Sequence, residues 1–211
     1  MQHFSLDLIQ SWERFYRGNF INTLSGFKSA SLIASQSAEG NPNLAIFSNL
    51  VHIGADPALI GFINRPREAS PHTLTNIEAT GQYTINHIPS SFIAQAHQTS
   101  AKYPPDKSEF DAVGLQPLYR SSFPVPFVRE SAVQYAMKLV EVIPIRHNQT
   151  FLVIGAVQEV WLEEGVLQPD GFIDLEAANS VTSLGLDSYY ETKKIARFEY
   201  AKQDKPVRLI L

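Results

Sequence analysis

Short apolar segments, each long enough for one strand and each closed by glycine, proline or asparagine, recur along this chain at close spacing. Ser29 to Ser35 is β-compatible and is followed by the turn cluster Glu39-Gly40-Asn41-Pro42. Asn43 to Val51 and Ala58 to Ile63 come next, separated by Gly54-Ala55-Asp56-Pro57, and Tyr83 to Ile88 is a further strand. Ala132 to Val142 and Phe151 to Leu162 are the longest, with apolar residues at alternate positions, and Gly165 marks the turn after the second. Helical patterns are few. One covers 4–17, one covers Thr73 to Ala79 and ends at Gly81, and one opens at Pro89-Ser90-Ser91 and runs through Ala96. Ser108 to Gly114 follows the Pro104-Pro105 loop, with Glu109-Phe110 and Gly114-Leu115 as a small amphipathic turn. The tail from Asp174 mixes a short helix with Tyr189-Tyr190 and ends extended over Val207 to Leu211. Strands that do not alternate with helices favour a mainly β fold over a doubly wound parallel sheet. The expected form is an antiparallel, Greek-key-like barrel, closed or partly closed, with short helical insertions.

With 211 residues the chain is read as one domain, its core over about 20–190 and a C-terminal extension over 191–211. A net charge of -4 with no long run of either sign gives no basic footprint for nucleic acid and no polybasic membrane patch. The absence of cysteine removes thiolate catalysis, disulfide frameworks and iron–sulfur clusters, and fits a reducing, cytoplasmic compartment. No secretory signal is read at the N-terminus, and apolar runs such as Phe151 to Val157 are too short to span a bilayer.

The common chemical motifs do not occur. The six histidines lack the spacing of a helical metal pair, and no metal site is expected. Gly-x-Ser-x-Gly, the Walker loop and Gly-x-Gly-x-x-Gly are all missing. What remains is a set of polar strand ends. Ala45-Ile46-Phe47 turns polar at Ser48 and Asn49, which suits a flat polar ligand, or simply a strand leaving the core. Arg65 precedes His72-Thr73 at a helix start, where free amides, a hydroxyl and arginines suit a phosphate; the plain alternative is a capped helix with solvated arginines. His97, Thr99 and Ser100 form a third polar patch after a short helix, facing a heterocycle or merely holding a loop.

These segments stand in a fixed order: Lys28-Ser29-Ala30-Ser31; Gly40-Asn41-Pro42-Asn43 through Phe47-Ser48; Asp56-Pro57 with Gly61-Phe62; His72-Thr73 through Asn76-Ile77; Thr80-Gly81-Gln82-Tyr83; Thr99-Ser100-Ala101; Glu109-Phe110 with Gly114-Leu115; and Val153-Ile154-Gly155. In that order, over about residues 20 to 190, they resemble the flavin reductase-like family. Ile46 stands where many members have proline, His72 where many have aspartate, and the loop Arg67 to Pro71 is longer than usual. The resemblance implies an FMN-binding split barrel that forms a homodimer. It also implies hydride transfer from NADH or NADPH to flavin, FAD and riboflavin being possible substrates, with a monooxygenase or other acceptor as partner. By the same resemblance the Ser29 strand end, Arg65 and Thr73 are candidates for the phosphate. Ala45, Ile46, Phe47, Ser48 and Asn49 face the ring and ribityl chain, with His72, His97, Thr99 and Ser100 nearby. No catalytic side chain is expected, because the flavin carries the chemistry. The alternatives are an electron-transfer protein of this fold without nicotinamide activity, and a cofactor-less dimeric interaction module.

Overall fold

The computed structural model describes residues 1–69, 71–104 and 107–210. Two helices open the chain, α1 (Leu6–Ser11) and α2 (Arg14–Leu24), where the sequence predicts a single one over 4–17 followed by strands. The break comes from capping. Trp12 is extended, and the Glu13 carboxylate accepts from the amides of Phe15 and Tyr16 at 2.8 and 3.1 Å, starting a second helix that runs past Gly18. Phe4, Trp12, Tyr16 and Phe20 hold the pair together edge to face, with ring centroids 5.0 to 5.6 Å apart.

The body follows as β1 (Lys28–Ser29), β2 (Ser31–Gln36), β3 (Pro42–Phe47), β4 (Leu50–Ala55), β5 (Ala58–Asn64), α3 (Pro71–Thr80) and β6 (Gln82–His87). A 3-10 turn at Ser90–Phe92 leads into α4 (Ile93–Gln98), then α5 (Glu109–Val113), β7 (Pro117–Arg120), β8 (Phe123–Val128), β9 (Val133–Ile145) and β10 (Thr150–Leu162). The short strands β11 (Thr182–Leu184), β12 (Ser188–Tyr190), β13 (Arg197–Phe198) and β14 (Leu209–Ile210) complete the chain. Gly81, at φ +71°, ends α3 where the sequence puts the stop. Pro105 and Leu211, which the sequence reading places in a loop and in the extended tail, lie outside the described residues.

Seven strands form one antiparallel sheet in the order β3-β2-β6-β9-β10-β5-β4. The mainly β expectation holds. The single strand expected over Asn43 to Val51 does not: Ser48 and Asn49 interrupt it, and its halves become the two outermost strands of the sheet. Two linking residues join the end of β3 to the start of β4, and no ladder pairs these strands among the described residues. The barrel expected from sequence is therefore not closed by backbone hydrogen bonds.

The hairpin β7–β8 escapes the sequence reading because Pro117, Pro124 and Pro126 interrupt the strand signal; prolines sit there because the hairpin is a two-stranded sheet of its own. The short helix expected after Asp174 is a run of turns. Asp174 Oδ1 accepts from the amides of Glu176 and Ala177, both at 3.2 Å, and Asn179 at φ +50° diverts the chain before a second helical turn forms.

β2 is buried on both faces, so alternate residues enter two cores. Ile33 joins Phe62, Leu74, Ile77, Tyr83, Met137 and Val153, while Leu32 and Ala34 join Leu44, Phe110, Leu115 and Phe127. Each fully buried large side chain contributes about 1.5–3 kcal/mol. Tyr83 packs against Gly155 of β10, where a β-carbon would overlap the phenol oxygen and lie 2.9 Å from the ring carbon that bears it.

Candidate functional site

Asn49 organises the junction between β3 and β4. Its carboxamide donates to the Ile63 carbonyl at 3.0 Å and accepts the Ile63 amide at 3.1 Å, replacing one rung of strand pairing with a side chain. Beside this clip opens a cavity of about 640 Å³, within the usual size for a small-molecule site. One wall is Ala45, Ile46 and Phe47 of β3 with Ser48 and Asn49. A second is Arg65 after β5 with His72 and Thr73 of α3, and a third is Thr99 to Tyr103 after α4.

Of the residues singled out by sequence, Ser29 and His97 alone do not line the cavity. Successive strand residues face opposite ways, so on β1 it is Lys28 that reaches the wall, and Ser29 turns its hydroxyl into the interior without a partner. His97 stands behind Tyr189. Its Nδ1 lies 2.8 Å from the Tyr189 oxygen with the rings edge to face, and Tyr189 lines the cavity. Other contributors that the sequence reading did not single out are Asn22 at the end of α2, Tyr103, Glu109, Ser183 and Leu186. Strand alternation around Ser29 was a usable signal for Lys28. Three-residue strands such as β11 and β12 offer none for Ser183 or Tyr189.

The α3 start is fixed by a buried amide–hydroxyl network. Asn43 Nδ2 donates to the Thr73 hydroxyl at 3.1 Å and to the Ser35 hydroxyl at 3.3 Å, and Asn76 donates to the same Ser35 oxygen at 3.2 Å. Thr73 is 1% exposed, so its place in the wall is fixed by packing as well as by hydrogen bonding. Glu109, at the start of α5, is 6% exposed and accepts the Leu44 amide at 3.0 Å, satisfying an edge-strand donor that no strand pairs. Burial pushes its carboxyl above the usual carboxylate range, opposed by the Leu44 hydrogen bond and by the nearby charge of His72.

Lys28, Arg65 and Lys102 line the cavity against Glu68 and Glu109, a local excess of positive charge in a chain whose net charge is -4. Lys28 Nζ donates to the Asn22 carbonyl at 3.0 Å and the Ser25 hydroxyl at 3.4 Å, which fixes the ammonium and leaves a donor over. Arg67 takes no part: it forks onto Glu78 at 2.8 and 2.6 Å and stacks over Phe151 at 4.9 Å. Ser183 is 2% exposed and its hydroxyl has no partner, an orphan donor in the wall of a cavity. Together these groups suit a flat, polar, anionic molecule.

The model of the "Flavin reductase like domain" family matches residues 26–187. A solved chain from Shewanella frigidimarina NCIMB 400, designated a candidate flavin reductase with a split barrel domain, is 50% identical; the match covers 95% of this chain and 100% of that one, with a TM-score of 0.92. Nitrilotriacetate monooxygenase component B from Bacillus cereus shares the fold at 21% identity and TM-score 0.81, over 95% of this chain and 98% of that one. Flavoredoxin of Desulfovibrio vulgaris (Miyazaki F) does so at 20% identity and TM-score 0.71, over 86% and 93%. Among the described residues no helix is long and apolar enough to cross a membrane.

Proposed function

The chain belongs to the flavin reductase like family, and we propose that its cavity holds FMN and that the protein reduces flavin with NADH or NADPH. The carrying observation is convergence: residues from β3, the Ser48-Asn49 link, the α3 start and the segment after α4 meet around one cavity of about 640 Å³. The donor set fits the group. Lys28, Arg65 and Lys102 supply positive charge for a phosphate, the Ser183 hydroxyl is a buried donor awaiting a partner, and Tyr103 and Tyr189 give aromatic surface for a ring.

Bound flavin supplies the hydride-accepting chemistry, and the protein's part is orientation, electrostatics and access. In this reading Lys28, held by Asn22 and Ser25, fixes the anionic end, and Asn49 sets the spacing of β3 from β5. His97 keeps the Tyr189 ring in one orientation against the ligand. Glu109 holds the β3 backbone in place through Leu44. No side chain is assigned as proton donor or nucleophile.

The same reading takes the sheet as a split barrel, the protein as a cytoplasmic homodimer, and the electron acceptor as a partner such as a monooxygenase. Support for the last comes from the fold shared with nitrilotriacetate monooxygenase component B. The test is anaerobic mixing of FMN-loaded protein with NADH and with NADPH, after an FMN titration followed by fluorescence quenching. Saturable quenching with bleaching of the visible flavin band by either donor is expected. Quenching without bleaching would instead fit an electron-transfer protein of this fold, and no quenching would remove FMN.

A further inference from the structure

A second cavity, of about 500 Å³, lies between the β7–β8 hairpin and the adjoining ends of β9 and β10, and shares no lining residue with the first. Its centre is Arg120. The guanidinium carbon stands 4.5 Å from the ring centre of Trp161 and 5.3 Å from that of Phe127. Nη2 donates to Gln134 Oε1 at 2.8 Å. Gln134 is itself locked, its Nε2 donating to the carbonyls of Val128 at 2.6 Å and Ser131 at 3.0 Å. The arginine is thus held in one orientation before anything binds.

Among the described residues no carboxylate lies within ion-pair distance of Arg120. Nε is buried with no hydrogen-bond partner, as is the hydroxyl of Ser131, which also lines the groove. Nη1 makes no hydrogen bond and stays accessible. Two of the nearby acids are hydrogen-bonded elsewhere, while Glu163 lines the groove without an ion pair to Arg120. Glu159 accepts from the Ser122 hydroxyl at 2.8 Å, and both Glu130 oxygens accept the Gln116 amide at 3.1 and 3.3 Å. Burial lowers the guanidinium pKa, and the charge of Glu159 offsets this only in part. A fixed, partly desolvated cation with no ion pair and an unpartnered buried N–H suits an anion.

The walls select which anion. Arg120 and Arg129 face Glu130 and Glu163, so the groove carries no charge excess to hold a dianion, while Trp161 and Leu162 offer apolar surface. We propose that this groove binds a small monocarboxylate with an apolar body, the carboxylate on Arg120 Nη1 and the body against the Trp161 ring.

Trp12 and Trp161 are the two tryptophans of the chain, so the full-length W12F variant reports on the groove alone. Butyrate, butyramide and inorganic phosphate are titrated into it while Trp161 emission is followed. Butyrate is expected to give a saturable change at millimolar concentrations, with butyramide weaker by about tenfold or more for want of a charge-assisted hydrogen bond and phosphate weaker by as much for want of an apolar body. Adding R120Q to W12F is expected to weaken butyrate to the same degree. Equal responses to butyrate and butyramide, equal responses to butyrate and phosphate, or no saturable response would each overturn the proposal. The comparison of ligands on W12F stands even if R120Q fails to fold.

Discussion

Replacing His87 by phenylalanine should flatten the acid limb of the stability curve. His87 ends β6, its Nδ1 lies 3.2 Å from the Ser180 hydroxyl, and its ring meets Tyr135 at 6.1 Å between centroids. Burial lowers the imidazole pKa from 6.5 to about 4. In the folded protein the ring is neutral wherever an unfolded chain near pH 5 would already bind a proton. The contribution of His87 is therefore fully present above about pH 6.5, falls as the pH drops toward 4, and is gone below that. The gap between the two values is worth about 3 kcal/mol. Urea unfolding of wild type and H87F at several pH values between 7.5 and 4 measures it. The wild type should lose about 3 kcal/mol more than the variant across that interval. The exposed acids with lowered pKa, Glu39, Asp170 and Asp174, act at lower pH and are common to both proteins. Curves that stay parallel, within about the 10–15% extrapolation error, would refute the reasoning.

Three further outcomes are expected. G155A should cost about 1–3 kcal/mol through collision with Tyr83, read from the urea midpoint, and Y83F should recover part of that cost because the ring carbon still crowds the new methyl. K28Q should weaken FMN about tenfold in a fluorescence titration, since it removes a positioned charge from the cavity wall. In E109Q the Leu44 amide keeps an acceptor while the buried charge is gone. The Glu109 pKa is raised in the folded state, so the wild type is penalised increasingly as pH rises above 4.5. E109Q should therefore be the more stable protein at neutral pH and lose its advantage in acid, as thermal unfolding at pH 7.5 and pH 4 would show.

Several elements are legible from local pattern alone. Alternation exposes β9 and β10, and glycine and proline clusters mark β2, β5 and the end of α3. The break at Ser48-Asn49 is invisible in the same terms, because β-compatible residues continue on both sides and the Asn49 partner lies 14 positions away. Lys28 and Ser29 differ by one residue in strand phase; alternation says that one of them faces the cavity, and the placement of β1 beside β11 sets which. Glu109 reads as part of a packing turn because its partner, Leu44, is 65 positions distant. These three features share one cause, a contact between segments apart in the chain. The break between α1 and α2 and the turns after Asp174 turn instead on local caps whose carboxylates read equally well as solvated charge.

The uncovered line between β3 and β4 has a mechanical consequence. Elsewhere in the seven-stranded sheet, moving two neighbours apart breaks a row of backbone hydrogen bonds; along this line it breaks none. The β3 side of the cavity can shift there without breaking any pairing to β4, with the ladder of β3 to β2 as the restoring force. Asn49 sets the resting width, because its two bonds to Ile63 fix where β4 starts. A guest molecule touching both β3 and the segment after β5 would bridge that junction. Its grip and the stiffness of the junction would then rise and fall together.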